Sequence, residues 1–375
     1  MELKLGIPSE LINGEFIVSL TPSAVSMLTN KHKVYVVSGA GKNSNFSDKA
    51  YKNAGAIIVE SNSELLSKAK IILFVSNIPK KLVYELNDNH LIIGNFSLYQ
   101  SPRLSYELIK SGCTVYSYES LPDDLNPLNA LNKITIRNLL TKAHLNRSNL
   151  INGCGDAILS AGKPVTAVVF GEGELVNELY SQLKPDVNLI VCPHNIYSDS
   201  SLVGISRVHD TFSNKEAIRN LVSNADLIII MPDPCEYNRH DPFGDGVESY
   251  INDKSIIADL SNEGELGSRS NWLNSTNNET NGYILLNRTD LANLHPKTSS
   301  EICSHAILKF IGTLISKNDN RCSSGIIINK GVLEKDELPI DSRGFINDNE
   351  QTTILNDLLS INDSFNQYSI LNNIK

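Results

Sequence analysis

Short β-branched, apolar runs alternate with polar, helix-compatible stretches along most of this chain, and that rhythm constrains the fold more than any other feature. The first third contains LKLGI (3–7), KVYVVS (33–38), AIIVE (56–60), IILFVS (71–76), LIIGNF (91–96) and CTVYSY (113–118), with a helical pattern from Pro22 to about Asn30. Such alternation is the signature of βα units and a mostly parallel sheet. An unbroken helical pattern then runs from Leu131 to about Asn149, and Gly153, Gly155, Gly162 and Pro164 mark a loop. A second series follows: TAVVF (166–170), NLIVC (188–192), a short strand near Ile205–Val208, DLIIIM (226–231), SIIADL (255–260) and YILLN (283–287). After Thr298 come an apolar-periodic helix, one strand-like run, GIIIN (325–329), and a helix-like piece at 353–363.

The expected architecture is α/β, with two Rossmann-like doubly wound domains separated by a cleft. Residues 1–130 with 305–375 form the first domain, and 131–304 the second, dinucleotide-binding type. A length of 375 residues suits two buried cores.

Composition removes several function classes. Net charge is −9, with no Lys/Arg block, so the footprint of a nucleic-acid binder is missing. The six cysteines (Cys113, Cys154, Cys192, Cys235, Cys303, Cys322) are scattered and never form Cys-x-x-Cys, which suits free thiols in a reducing compartment better than disulfides or a metal site. The opening MELKLGIPSE has no signal-peptide core and no later stretch reaches membrane-spanning length, so the expectation is a cytoplasmic protein without a membrane partner.

The stretch VVFGEGELVNELY (168–180) carries a Gly-x-Gly turn between a strand and a helix. In a dinucleotide fold the first Gly allows the tight turn, the second lets backbone approach a pyrophosphate, and the third lets helix pack closely on strand. Gly171 and Gly173 fill the first two roles, but the third position is Val176, whose branched side chain is expected to push the helix away. The strand NLIVC should end in a carboxylate for the ribose, yet Pro193 and His194 follow it. His194 is a candidate for a 2′-phosphate. A lone Gly-x-Gly is as often a plain βα turn as a cradle, so this motif leaves both readings open.

GIPSELINGEFIVSLTP (6–22), SGAG (38–41), FSDKAYKNAGAIIV (46–59) and TDLANLHPKTSS (289–300) resemble the alanine dehydrogenases and the nucleotide-binding alpha subunit of nicotinamide nucleotide transhydrogenases. The resemblance runs from Gly6 to about Leu314. It implies two Rossmann-like domains, the first completed by C-terminal helices and the second holding NAD or NADP, with a small-molecule ligand in the cleft and a homo-oligomeric assembly. It also implies an Arg and a Lys that clamp the substrate carboxylate, and a His for proton transfer. Those positions fall on Ile17, Ser76 and Ser97, and a further family Lys falls on Phe74. Neither Ile nor Ser replaces a bidentate arginine, and a serine hydroxyl does not titrate near neutral pH. Alanine deamination by that route is therefore not expected. Arg137 matches a retained family Arg, Asn132 stands where a nicotinamide-contacting Ser is expected, and Glu263 aligns with a carboxylate near the nicotinamide. The transhydrogenase hydride-transfer loop is shortened to LPDDLNPLNAL (121–131), with Asp123 and Asn129 in place of its Arg and Asp.

Two readings follow: a repurposed or non-catalytic homologue that keeps nucleotide binding and works with a small-molecule ligand or protein partner, or a live NAD(P)H-dependent reductase of an imine or ketone. The polar loop 231–249 gathers Cys235, Glu236, Arg239, His240, Asp241, Asp245 and Glu248; a Cys/His nucleophile pair or a His240–carboxylate metal site is the alternative there, and a solvated lid or oligomer contact is the expectation. Cys303 and His305 are expected to face the core.

Overall fold

The computed structural model describes residues 2–10, 16–76, 78–98, 101–122, 125–150, 159–160, 163–171, 174–183, 187–193, 206–207, 215–231, 247–252, 255–260, 284–316 and 320–334. In chain order these give β1 (Lys4–Ile7), α1 (Pro22–Leu28), β2 (Lys33–Val37), α2 (Asp48–Asn53), β3 (Ile57–Val59), α3 (Asn62–Lys68), β4 (Ile71–Leu73), α4 (Lys80–Val83), β5 (Leu91–Gly94), α5 (Pro102–Ser111), β6 (Thr114–Ser117) and the long α6 (Leu128–Leu150). Then come β7 (Leu159–Ser160), β8 (Lys163–Pro164), β9 (Thr166–Phe170), α7 (Glu174–Gln182), β10 (Asn188–Cys192), β11 (Ser206–Arg207), α8 (Lys215–Ser223), β12 (Leu227–Ile230), β13 (Ile256–Asp259), β14 (Ile284–Asn287), α9 (Arg288–Asn293), α10 (Pro296–Ser316), β15 (Ile326–Asn329) and β16 (Val332–Leu333).

The chain divides into two compact units, Met1–Leu131 with His295–Lys375, and Asn132–Leu294. The division falls ahead of α10, whereas the sequence reading cut that helix at residue 304. The reason lies in buried hydroxyls on its first turns. Ser300 Oγ accepts the Val18 N–H at 3.1 Å and shares a 2.7 Å bond with Ser44 Oγ, and Ser304 Oγ accepts the Thr21 N–H at 2.9 Å. These bonds satisfy backbone donors that water cannot reach, so the start of α10 folds with the first unit.

In the first unit the sheet order is β16-β15-β6-β5-β4-β1-β2-β3. The six strands from β6 to β3 are parallel, and β15 adds antiparallel to β6. The order reverses between β1 and β4, the switch point where open α/β sheets take ligands beyond the carboxyl ends of their strands. Local chemistry sets the helix starts. Ser47 and Ser61 accept the N–H groups of Ala50 and Glu64, capping α2 and α3. At the other end of α5, Gly112 takes φ 74°, the left-handed turn that ends a helix.

In the second unit the sheet runs β11-β10-β9-β12-β13-β14, all parallel, with its own switch point between β9 and β12. Both faces of β9 are buried. Ala167 and Val169 pack with Ile136, Leu139, Val176 and Leu179 on one side, and Val168 and Phe170 with Ile218 and Val222 on the other. That two-sided burial is why the strand is a continuous apolar run rather than an alternating one. A two-stranded hairpin, β7 with β8, occupies part of the stretch read as loop.

The helix-like run at 353–363 lies outside the described residues. Among the described residues no helix is long and apolar enough to cross a membrane.

Candidate functional site

At the first unit's switch point, the turn after β1 supplies Glu10. Its carboxylate reaches across to the end of β4, where Val75 N–H donates to Oε1 and Oε2 at 2.9 and 3.0 Å and Ser76 N–H donates to Oε2 at 3.1 Å. Glu10 is only 6% exposed. A buried carboxylate bound by backbone N–H groups holds the two strand ends in fixed geometry. Sequence reading missed it; the signal was a Glu three residues beyond a strand in a βα sheet.

Beyond β5 and β6 the cluster continues. The Asn95 amide, oriented to satisfy both its atoms, donates to Glu119 Oε1 at 2.6 Å and Oε2 at 3.3 Å. Ser117 Oγ donates to Glu119 Oε2 at 3.3 Å. Between them Tyr118 is fully buried, its ring edge-on to Phe310 of α10 at 5.9 Å. Among the described residues the Tyr118 hydroxyl has no hydrogen-bond partner. Burial first, and then the fields of Cys303 and Glu10, push its pKa well above the ordinary phenol value.

The sequence candidates distribute unevenly. Ser76 and Ser97 both lie at the carboxyl edge of this sheet, at the ends of the adjacent strands β4 and β5. Ser97 is buried with φ 46°, a left-handed conformation that a non-glycine residue adopts at a cost of about 1–3 kcal/mol. Ile17 is 3% exposed, and Phe74 is wholly buried with its ring edge-on to Phe96 at 5.8 Å. Both are core residues. Cys303 is buried as expected, but His305 is exposed, because two positions along a helix turn the side chain to nearly the opposite face.

In the second unit Gly171 ends β9 with φ 126°, a region L-residues rarely enter, and its N–H donates to Cys192 O at 2.9 Å. Val176 is 3% exposed and sits inside the core between α7 and the sheet. Val176 is thus a packing residue between α7 and the sheet, the place where a third fingerprint glycine would let helix and strand approach closely. Asn132 Oδ1 accepts from Arg288 Nη2 at 2.8 Å. Arg137 lies on the exposed face of α6, while Ile136, Leu139 and Leu140 face the core. Gly173, His194, Glu263, Asp123 and the 232–246 part of the polar loop lie outside the described residues. Among the described residues no three His, Cys, Asp or Glu side chains gather as a metal cage.

Residues 6–135 match the family model "Alanine dehydrogenase/PNT, N-terminal domain". The alanine dehydrogenase of Mycobacterium tuberculosis (strain CDC 1551 / Oshkosh) is 28% identical over 242 residues, covering 60% of this chain and 64% of that protein. The alanine dehydrogenase of Bacillus subtilis (strain 168) is 32% identical over 120 residues, 32% of either chain. The chain thus spans less than two thirds of the length of these curated relatives. Among solved structures, an L-alanine dehydrogenase superposes with TM-score 0.64 at 19% identity, covering 90% of this chain and 98% of the other. A transhydrogenase from Sinorhizobium meliloti gives TM-score 0.63 at 15% identity, covering 88% and 99%. At such identities the structures speak for the fold, two Rossmann-type units. The resemblance read from the sequence holds: residues 6–135 are similar to the N-terminal domain of the alanine dehydrogenases and transhydrogenases, and the fold is similar to theirs.

Proposed function

We propose that this chain is a repurposed relative of the alanine dehydrogenases that binds NAD(H) or NADP(H) through its second unit and does not deaminate alanine. The observation that carries the first half is Gly171. It stands at positive φ at the end of β9, beside the switch point of a fully parallel sheet, which is where a pyrophosphate seats against a helix N-terminus. The nucleotide, when bound, supplies a hydride acceptor or donor; Gly171 would lie against its pyrophosphate. The ribose finds no carboxylate at the end of β10, where Cys192 and Pro193 follow one another.

The second half rests on the first unit. The positions implied for the cationic clamp are Ile17, deep in the core, and Ser76, whose N–H is held by a carboxylate. A substrate carboxylate brought there gains no charge-assisted bond. The alternative of a live NAD(P)H-dependent reductase of an imine or ketone is favoured by the polar strand ends of β1, β4, β5 and β6, which can bind a ligand that lacks a carboxylate. Assembly as a homo-oligomer, from the resemblance, and a cytoplasmic location, from the scattered cysteines, complete the proposal.

Calorimetric titration of NAD, NADH, NADP and NADPH tests the nucleotide, with Gly171→Ala as control because that backbone strains an L side chain. Micromolar binding weakened in the variant is expected. Absence of binding by all four refutes it. Turnover of L-alanine and NAD, read at the NADH absorbance, refutes the second half.

A further inference from the structure

At the amino edge of the first sheet, away from the edge where open α/β sheets take ligands, two histidines each stand one residue ahead of a strand, His32 before β2 and His90 before β5. His90 is buried, and both of its ring nitrogens are spent on backbone. Nδ1 accepts the Asn87 N–H at 3.1 Å, and Nε2 lies 3.0 Å from Leu66 O of α3. A backbone N–H only donates and a carbonyl only accepts, so one ring alone fits this geometry, the neutral imidazole with its proton on Nε2. The backbone of the same residue continues the tie: its N–H donates to Asn87 O at 3.0 Å, and its C=O accepts the Thr114 N–H of β6 at 2.9 Å. His32 Nδ1 has the same acceptor part for the Leu3 N–H ahead of β1, at 3.3 Å.

We propose that these two rings form an acid-sensitive latch on the amino edge of the first unit: a proton taken on Nδ1 removes the acceptor, releasing the turn 87–90 at His90 and the start of β1 at His32. A proton on His90 Nδ1 sets two N–H groups against each other and leaves a charge inside the fold, and a buried neutral histidine that must charge is a source of acid lability. The groups around His90 do not offset that charge. On α3 Glu64 pairs with Lys68, and in the turn Asp88 Oδ1 accepts from the Asn89 amide at 3.0 Å. The others are Glu85 before the turn, Lys70 ahead of β4, Lys110 of α5 and the buried Cys113 thiol ahead of β6. Around His32, Glu2 pairs with Lys33 at 3.3 Å, and Lys4 and Lys31 add positive charge. Neither ring has a side-chain partner among the described residues. Because the fold binds the neutral ring, the contribution is complete above the ordinary imidazole value of about 6.5 and is lost as pH falls below it. The latch depends on no part of the proposed function, since it needs neither nucleotide nor substrate.

The test is hydrogen exchange of the full chain at about pH 7.5 and about pH 5, each amide corrected for its intrinsic rate at that pH. Protection of Asn87, of β5 and of Leu3 should fall by about tenfold relative to β9 and β12 of the second unit, the loss of roughly one hydrogen bond at each ring. His90→Gln keeps a side chain that donates and accepts but takes no proton, so β5 protection should hold constant across the same window while the Leu3 response persists. Nitrogen-15 NMR of the wild-type imidazoles at about pH 7.5 gives a reading that needs no variant: the His90 ring should be neutral, with its proton on Nε2 and none on Nδ1. The proposal falls if that ring is charged or carries its proton on Nδ1, if β5 keeps its protection at the lower pH, or if the His90→Gln chain loses protection there as the wild type does.

Discussion

Replacing Val176 by Gly would write the third fingerprint glycine back into the turn, and two physical accounts of that residue predict opposite results. If the valine holds α7 off the strand and blocks close approach, its removal tightens dinucleotide binding at little cost. The structure gives the residue a packing role that its removal would forfeit. Val176 is 3% exposed and packs with Val169, Leu179, Leu189 and Ile136 in the core of the second unit. Deleting a buried valine side chain costs about 1.5–3 kcal/mol in lost burial, and a cavity among unyielding neighbours adds to that. Glycine within α7 adds roughly another half kcal/mol over valine. The sum, about 2–4 kcal/mol, should appear in hydrogen exchange as amide opening in α7 and β9 accelerated by roughly thirty- to several-hundred-fold. Exchange in β1 to β6 should be unchanged, since those strands belong to the other unit. Dinucleotide affinity, measured by calorimetry at a temperature where the variant is folded, should not improve. Tighter NADH binding with α7 protection intact would refute this account of the residue.

Ser300→Ala should destabilise the first unit by about 1–3 kcal/mol in urea unfolding, because Val18, 2% exposed, is left with an unbonded N–H. Ile17→Arg should cost more, about 3–5 kcal/mol or outright loss of folding in a solubility assay, and should not create alanine binding. Cys113 adds a pH dependence: burial raises its thiol from 9.0 to about 11, so the native state holds the proton more tightly than the unfolded chain. That stability is complete below pH 9.0 and is lost as pH rises through about 11, on the order of 2–3 kcal/mol at most. Urea midpoints for Cys113→Ala should therefore fall less over that alkaline window than those of the wild type.

Strands and helices were legible because both β-sheets are covered on two faces, which turns each strand into an apolar run that stands out against polar helix starts. NLIVC and TAVVF span the same residues in sequence and structure. The hairpin β7–β8 was not legible, since two-residue strands carry no periodicity. Nor was the exposure of His305, which depends on the rotation of one helix. At the site, the resemblance pointed to Ser76 and Ser97, which lie at the carboxyl edge of the first sheet, but Glu10 was missed. Its partners are backbone N–H groups some 65 positions away, and no side-chain pattern encodes them. Tyr118 was hidden for the opposite reason, because a tyrosine ending a strand reads as core until its hydroxyl is seen to lack a partner.

Positions 17 and 74 also bear on how the first unit works. A pocket that had merely lost its charged groups would be left with gaps lined by small residues. Here Phe74 meets Phe96 edge-on, and the strand between them carries Gly94, where an added Cβ would lie 2.8 Å from the Phe96 ring and 2.9 Å from Phe74 Cβ. Three positions thus fit one another and close that part of the sheet edge with aromatic surface. An edge-to-face pair of this kind contributes about 0.5–1.5 kcal/mol beyond its area, so the packing is favourable in its own right. On the same edge, Glu10, Asn95, Ser117 and Glu119 stay hydrogen-bonded and Tyr118 stays unbonded, although apolar residues would satisfy such a core more cheaply. Aromatic packing at 74 and 96 thus stands on the same sheet edge as the hydrogen-bonded polar groups at 10, 95, 117 and 119.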